Sequence, residues 1–281
     1  MLSRLPIRLI LLMVASAFII AGLSCRSAPD APEYDNPIIP DDPNYVPPQT
    51  TIITGPTQDA VLDTHAVTFT WRGNQDNMTF AYKLNEGSWS AWSSDTTATF
   101  QYLDEGGYRF EVQGQYASGV IEDTAAARSF TIDDIHGPAL WLYPRYQQVG
   151  VGSEFSLEVM LEEVENVFAV KAVLGFDPAV LQVSNIEIYE DSRSLLKTNG
   201  GTVIPFSSYD NATGLATIEV ATATGNPAGV SGTGSLGIIT FSSGSAGDYS
   251  ITITPSSQLR NPENGSITIT EKVGAYVEVA Q

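Results

Sequence analysis

The sequence predicts an all-β protein built as two β-sandwich domains in series. Three observations predict it. Apolar residues recur at every second position in short runs, turn-forming residues punctuate those runs, and no segment carries a long apolar stripe of period 3.6. At 133–138, Asp-Asp-Ile-His-Gly-Pro interrupts the alternation and divides the strands into two sets.

Residues 1–24 read as a secretory signal. Arg4 and Arg8 form its positive end, 9–20 its apolar stretch, and Ala21-Gly22-Leu23-Ser24 a small-residue cleavage zone. The apolar stretch falls short of the ~20 residues a membrane-spanning helix needs. Cys25, the only cysteine in the chain, follows directly. This arrangement resembles the lipobox of bacterial lipoproteins, with Gly22 where a Leu is usual. The resemblance implies lipidation of Cys25 and anchoring to a membrane of the cell envelope. Simple cleavage after Ser24 is the other reading. Residues 25–50, rich in Pro and acidic residues, read as an extended spacer.

Residues 51–135 form the first set of strands. Val67, Phe69 and Trp71 share one face, as do Met78, Phe80, Tyr82 and Leu84. The same period places Ala98 with Phe100 and Tyr102, Tyr108 with Phe110 and Val112, and Phe130 with Ile132. Turn signals stand at 74–77, 85–87, 105–107 and 118–119. About seven short strands in this span predict an immunoglobulin-like sandwich. The run from Phe80 through Trp89 and Trp92 to Phe110 resembles fibronectin type III-like domains of bacterial surface proteins, which implies a spacer or adhesion module. Trp89 and Trp92 read either as core residues, the commoner fate, or as a platform on which sugars stack. His65 and His136 read as solvated loop residues.

Residues 138–281 form the second set. Phe155, Leu157, Val159 and Leu161 oppose Ser156, Glu158, Met160 and Glu162. Later runs are Tyr249/Ile251/Ile253, Ile267/Ile269 and Val277/Val279, and 192–197 reads as one helical turn. Three motifs stand in order: an opening strand pair around Val149-Gly150-Val151-Gly152, a corner at Gly175-Phe176-Asp177-Pro178 followed by Val180-Leu181, and a strand Gly232-Thr233-Gly234 running to Phe241. Together they resemble the cohesin family. The resemblance implies a jelly-roll sandwich of about nine strands, related in fold to carbohydrate-binding modules. It also implies a flat sheet face that grips the paired helices of a dockerin on another protein, in polysaccharide degradation. Lys171 stands where cohesins tend to carry a small polar or acidic contact residue.

The residues speak to that face independently. Pro178 ends a strand, and Asp177 suits the turn that follows. In 167–176 the even positions Phe168, Val170, Ala172, Leu174 and Phe176 form a core face. The odd positions Val167, Ala169, Lys171, Val173 and Gly175 are nearly as apolar. A strand apolar on both sides needs two covers, and the second is either a docked partner or the loop 184–201. The candidate partner-binding residues are therefore Ala169, Lys171 and Val173, with Ser207, Tyr209, Thr217 and Glu219 on neighbouring strands.

Composition narrows the function. Thirteen basic residues against 32 acidic give a net charge of −19, which argues against nucleic acid and against charge-driven docking on anionic lipid. Only two His and one Cys count against hydrolase, oxidoreductase and zinc chemistry. No calcium loop, P-loop or nucleophile elbow occurs. The acidic pairs Asp41-Asp42, Asp133-Asp134 and Glu162-Glu163 read as solvated charge. The expectation is a protein that is not an enzyme and has no catalytic, metal or cofactor site. It is expected to bind a protein partner, with direct contact to a polysaccharide as the competing reading.

Overall fold

The computed structural model describes residues 36–198, 200–223 and 229–281. The leader, Cys25 and the start of the spacer lie outside the described residues. The chain divides into two compact units, at Pro47/Pro48. In the first, the part of the spacer that is described is not extended but a run of turns. The Asp42 carboxylate accepts the Asn36 and Asn44 N–H groups, each at 2.8 Å. The Val46 N–H reaches the Pro37 carbonyl at 3.0 Å. Pro37, Pro40 and Pro43 hold φ near turn values while Asp42 binds the orphaned N–H groups, so this aspartate is a turn-former as well as a surface charge.

The unit Pro48–Gln281 is all-β and holds two sandwiches. The first comprises β1 (Thr50–Thr54), β2 (Ala60–Leu62), β3 (Val67–Gly73), β4 (Thr79–Leu84), β5 (Thr97–Phe100), β6 (Gly106–Gln115) and β7 (Ala126–Ile132). One sheet runs β1-β3-β5 and the other β2-β7-β6-β4. The predicted alternation of β3 is realised, with Val67, Phe69 and Trp71 all buried. Phe69 stacks on Phe110 of the facing sheet at 4.0 Å between ring centres.

Trp89 and Trp92 are not core residues. They are 38% and 37% exposed, in the segment between β4 and β5. Trp71, Phe80 and Phe110 already occupy the aromatic centre of the sandwich. The Lys83 ammonium instead lies 5.1 Å from the Trp89 ring centre.

The second sandwich comprises β8 (Ala139–Tyr143), β9 (Tyr146–Gly150), β10 (Glu154–Val167), β11 (Ala169–Gly175), β12 (Leu181–Ile188), β13 (Thr202–Asp210) and β14 (Leu215–Ala223). It continues with β15 (Val230–Ser243), β16 (Gly247–Ile253), β17 (Gln258–Arg260), β18 (Ser266–Ile267), β19 (Glu271–Val273) and β20 (Ala275–Ala280). One sheet is ordered β12-β15-β10-β8-β19 and the other β13-β14-β11-β16-β20-β9, with β17 also pairing β11. Between them lies one core that includes Leu157, Leu161, Leu174, Ile218, Ile239 and Phe241. Among the described residues the expected nine or so strands become thirteen segments. The extra ones are short: β17, β18 and β19 span two or three residues each.

One predicted strand is two. β10 ends at Val167, which pairs with Val230 in the first of these sheets, and β11 starts at Ala169 in the other. Val167 is therefore fully buried between the sheets, and Phe168, expected in the core, is only half-buried where the chain crosses over.

The joint at 133–138 is a packed interface. Arg145, 3% exposed, donates to Glu105 Oε1 at 2.9 Å and to Asp134 Oδ1 at 2.7 Å. Its backbone N–H donates to Asp104 Oδ1 at 2.7 Å. Glu105 Oε1 also accepts the Asp134 and Ile135 N–H groups, each at 3.1 Å. Asp134, expected in solvent, is an ion-pair partner here. His65 and His136 are each paired too, with Asp134 at 3.0 Å and Asp63 at 3.3 Å. Burial, then the hydrogen bond to Asp134, pushes Glu105 up to about 7. Burial also opposes charge on Asp134, yet its hydrogen bonds to Arg145, Glu105 and His65 hold it down at about 2. Glu162 likewise departs from the solvated reading. Trp141 Nε1 donates to it at 3.1 Å and Thr233 Oγ1 at 2.5 Å, while burial raises its pKa.

Candidate functional site

The corner after β11 positions the candidate face. Asp177 Oδ1 accepts the Ala179 N–H at 2.9 Å and the Asp177 carbonyl accepts that of Leu181 at 2.9 Å, so the strand turns at Pro178 as its chemistry requires. The hairpin turn between β13 and β14 docks on this corner. Phe176 N–H donates to the Gly214 carbonyl at 2.9 Å. Gly214 has φ +70°, and a Cβ there would run into the Phe176 carbonyl oxygen. Asn211, in the same turn, exchanges two hydrogen bonds with the Val183 backbone, at 2.8 and 3.0 Å.

This clamp fixes the register of three strands. Outward rows across β11, β14 and β13 read Ala169–Ala221–Ile204, then Lys171–Glu219–Phe206, then Val173–Thr217–Ser208. Ser207 and Tyr209, expected on the same face, lie in the alternate rows, opposite Ile218 and Ala216. Both are exposed because β13 is an edge strand. The outward members of β13 are instead Ile204 and Phe206, 54% and 63% exposed. Counting back from the Asp210/Leu215 hairpin pairs Glu219 with Phe206, a signal already present in the sequence.

The second cover of β11 is divided. Val173 is already covered by the chain itself, only 7% exposed beside residues 254–257, where its N–H donates to Ser257 Oγ at 2.9 Å and its carbonyl accepts the Thr254 N–H at 2.8 Å. The stretch 184–201, one of the two expected covers, begins inside β12, and its described part has a different task. Its Leu195 and Leu196 enter the core, with Leu195 against Gly234, where a Cβ would come within 3.1 Å.

The Ala169–Lys171 end is open. It lines a groove of about 540 Å³ together with Ile204, Phe206, Glu219 and Arg260. Lys171 Nζ stands 3.4 Å from Glu219 Oε2, both about half exposed. Arg260 donates to Gln258 Oε1 at 2.9 Å and to the Asn264 carbonyl at 3.3 Å. The arrangement is an open groove with a charged pair across its middle and Ile204 and Phe206 along one rim. It offers contact area rather than a nucleophile and base within reach of each other. Among the described residues no group of three or more His, Cys, Asp and Glu is placed to hold a metal ion, and no helix is long and apolar enough to cross a membrane.

No family model matches the chain, and no curated protein does. Among solved structures it is similar to a non-cellulosomal cohesin from the archaeon Archaeoglobus fulgidus, with 14% identity, a TM-score of 0.40, and 51% of this chain and 91% of that one covered. It is similar to a type II cohesin domain from the cellulosome of Acetivibrio cellulolyticus, with 14% identity, TM-score 0.40, and 50% and 94% covered. A type I cohesin–dockerin complex from Clostridium thermocellum gives 11% identity, TM-score 0.40, and 50% and 98% covered.

Proposed function

We propose that this chain is a non-catalytic protein of the cell envelope, lipid-anchored at Cys25. Its residues 138–281 form a cohesin-like domain that docks a protein partner of the dockerin type, in the service of polysaccharide degradation. Residues 51–135 act as an immunoglobulin- or fibronectin type III-like spacer. The observation that carries the docking reading is the row Lys171–Glu219–Phe206 across three strands, flanked by Ile204 and Ala169, with Phe206 and Ile204 largely exposed. Large apolar side chains left in water beside a wide, shallow groove are what a helical partner covers. The three motifs of the sequence point the same way.

Fully burying a Phe side chain is worth roughly 1.5–3 kcal/mol. Docking can cover at most the 63% of Phe206 still in water, so it is worth about 1–2 kcal/mol, or about 5- to 30-fold in affinity. Phe206→Ala is therefore expected to weaken binding of a dockerin-bearing hydrolase by that factor in titration calorimetry. Ala169→Glu should also weaken it, by placing a bulky carboxylate where the groove is lined by Ala169, Val220 and Ala221. Ser207→Ala, in the alternate row, should bind as the parent does. Affinity undiminished by both Phe206→Ala and Ala169→Glu would place the partner elsewhere. For the anchor, Cys25→Ser is expected to shift the protein from the membrane to the soluble fraction and to abolish incorporation of labelled fatty acid. Unchanged fractionation and labelling would defeat lipidation.

A further inference from the structure

Two clefts meet at a group of tyrosines between the sandwiches. Tyr146 of β9 and Tyr276 of β20 are register partners on parallel strands, their rings 6.1 Å apart and 17° from parallel. Tyr102, from the loop after β5, lies beside both, 5.1 Å from Tyr276 at 4° and 6.1 Å from Tyr146 at 13°. Its φ of +57° is uncommon for a residue with a side chain, and the next N–H, of Leu103, is tied to the His65 carbonyl at 2.9 Å. One cleft of about 550 Å³ is lined by Gln101, Tyr102, Tyr146, Tyr276 and Glu278. A second of about 460 Å³ shares Tyr102 and Tyr276.

These rings do not seal an interface. Tyr102 and Tyr146 each keep 37% of their surface exposed. The polar groups beside them are fixed in advance: Glu278 accepts the Tyr146 hydroxyl at 2.7 Å and the Gln148 amide at 2.8 Å. Two bonds leave a carboxylate about two further acceptor positions. The hydrogen bond to Glu278 pushes Tyr146 up to about 12, so it remains a protonated hydroxyl at neutral pH.

We propose that this cleft binds a neutral polysaccharide, its sugar rings lying along Tyr102, Tyr146 and Tyr276 and its hydroxyls donating to Glu278. A pyranose presents an apolar C–H face and a belt of hydroxyls, which calls for exposed flat rings beside fixed polar groups. Two clefts joined through Tyr102 and Tyr276 suit a chain longer than one sugar. A net charge of −19 and the carboxylate in the cleft disfavour acidic glycans. The site is separate from the groove around Phe206 and requires no protein partner.

The test is affinity electrophoresis of the full chain in gels containing hydroxyethylcellulose, xylan, galactomannan or soluble starch. Retardation by at least one is expected, with the dissociation constant raised tenfold or more in Tyr146→Ala and in Glu278→Ala, and unchanged in Phe206→Ala. If Tyr146→Ala also lowers the melting temperature, Glu278→Ala alone decides. Migration unaffected by all four polysaccharides overturns the proposal. So does retardation that persists in Glu278→Ala and is lost in Trp89→Ala or Trp92→Ala, which would move the sugar to the exposed tryptophans.

Discussion

Arg145→Met is expected to lower the stability of the folded chain by about 3–5 kcal/mol, the usual cost of removing one partner from a buried ion pair. The Arg145 side chain is 4% exposed and holds Glu105 and Asp134 together, and its backbone N–H binds Asp104. Methionine fills similar space but leaves three carboxylates crowded at one joint without their cation. Urea denaturation followed by tryptophan fluorescence measures the loss, and a value under about 1 kcal/mol would mean that the pair contributes no more than an exposed one. Adding Asp134→Asn to the variant should recover part of the loss, because Asp134, held at about 2, is the carboxylate that stays charged.

The same cluster fixes the sign of a pH dependence. Glu105 sits at about 7 in the folded chain against an ordinary 4.5, so its folded form binds the proton more tightly. Stability should therefore fall as pH rises from about 4.5 through 7. Asp104, raised chiefly by burial, and His136, raised by its hydrogen bond to Asp63, act in the same direction. Asp134 acts oppositely: its contribution is full above its ordinary 3.8 and lost as pH falls toward 2. With His65 and Arg145 the other groups facing the joint, thermal stability is expected to peak near pH 4–5 and decline to pH 8. Glu105→Gln should flatten that decline, and an equally steep one in the variant would reassign it.

Where side-chain pattern decides structure locally, the sequence was readable. Phe69, Leu157 and Ile251 alternate with polar neighbours and are buried, and Asp177-Pro178 forms its turn from its own chemistry. Reading fails where a distant partner decides. Arg145 is fixed by residues 104–105 and 134, and nothing near it in sequence announces a buried cation. Trp89 and Trp92 are large apolar residues of the kind that usually fill a core, yet both stay exposed, because Trp71, Phe80 and Phe110 already occupy the aromatic centre of that sandwich. On β13, apolar-in logic sends Ile204 and Phe206 inward. The register set by the Gly214 turn sends them out, because an edge strand follows its hydrogen-bonded neighbour whether or not its own side chains gain. That departure from the inward rule is what singles out this face as the proposed docking surface.

Gly214→Ala tests whether this turn sets the face. Alanine at φ +70° costs about 1–2 kcal/mol, and forcing its methyl against the Phe176 carbonyl adds about 1–3 kcal/mol of overpacking. The summed loss, about 2–5 kcal/mol, should appear as a lower urea midpoint. Relief requires the hairpin to move off the β11 corner, loosening the Asn211–Val183 clamp and displacing Phe206 and Glu219 relative to Lys171. Partner affinity should then fall together with stability, even though Gly214 lies outside the groove. Phe206→Ala separates the two effects: it removes a side chain already 63% exposed, so it should weaken docking while leaving the urea midpoint close to that of the parent. A Gly214→Ala protein that loses stability yet docks with undiminished affinity would show that the row around Lys171 is held by β11 and β14 alone, and that the corner motif serves folding without shaping the face.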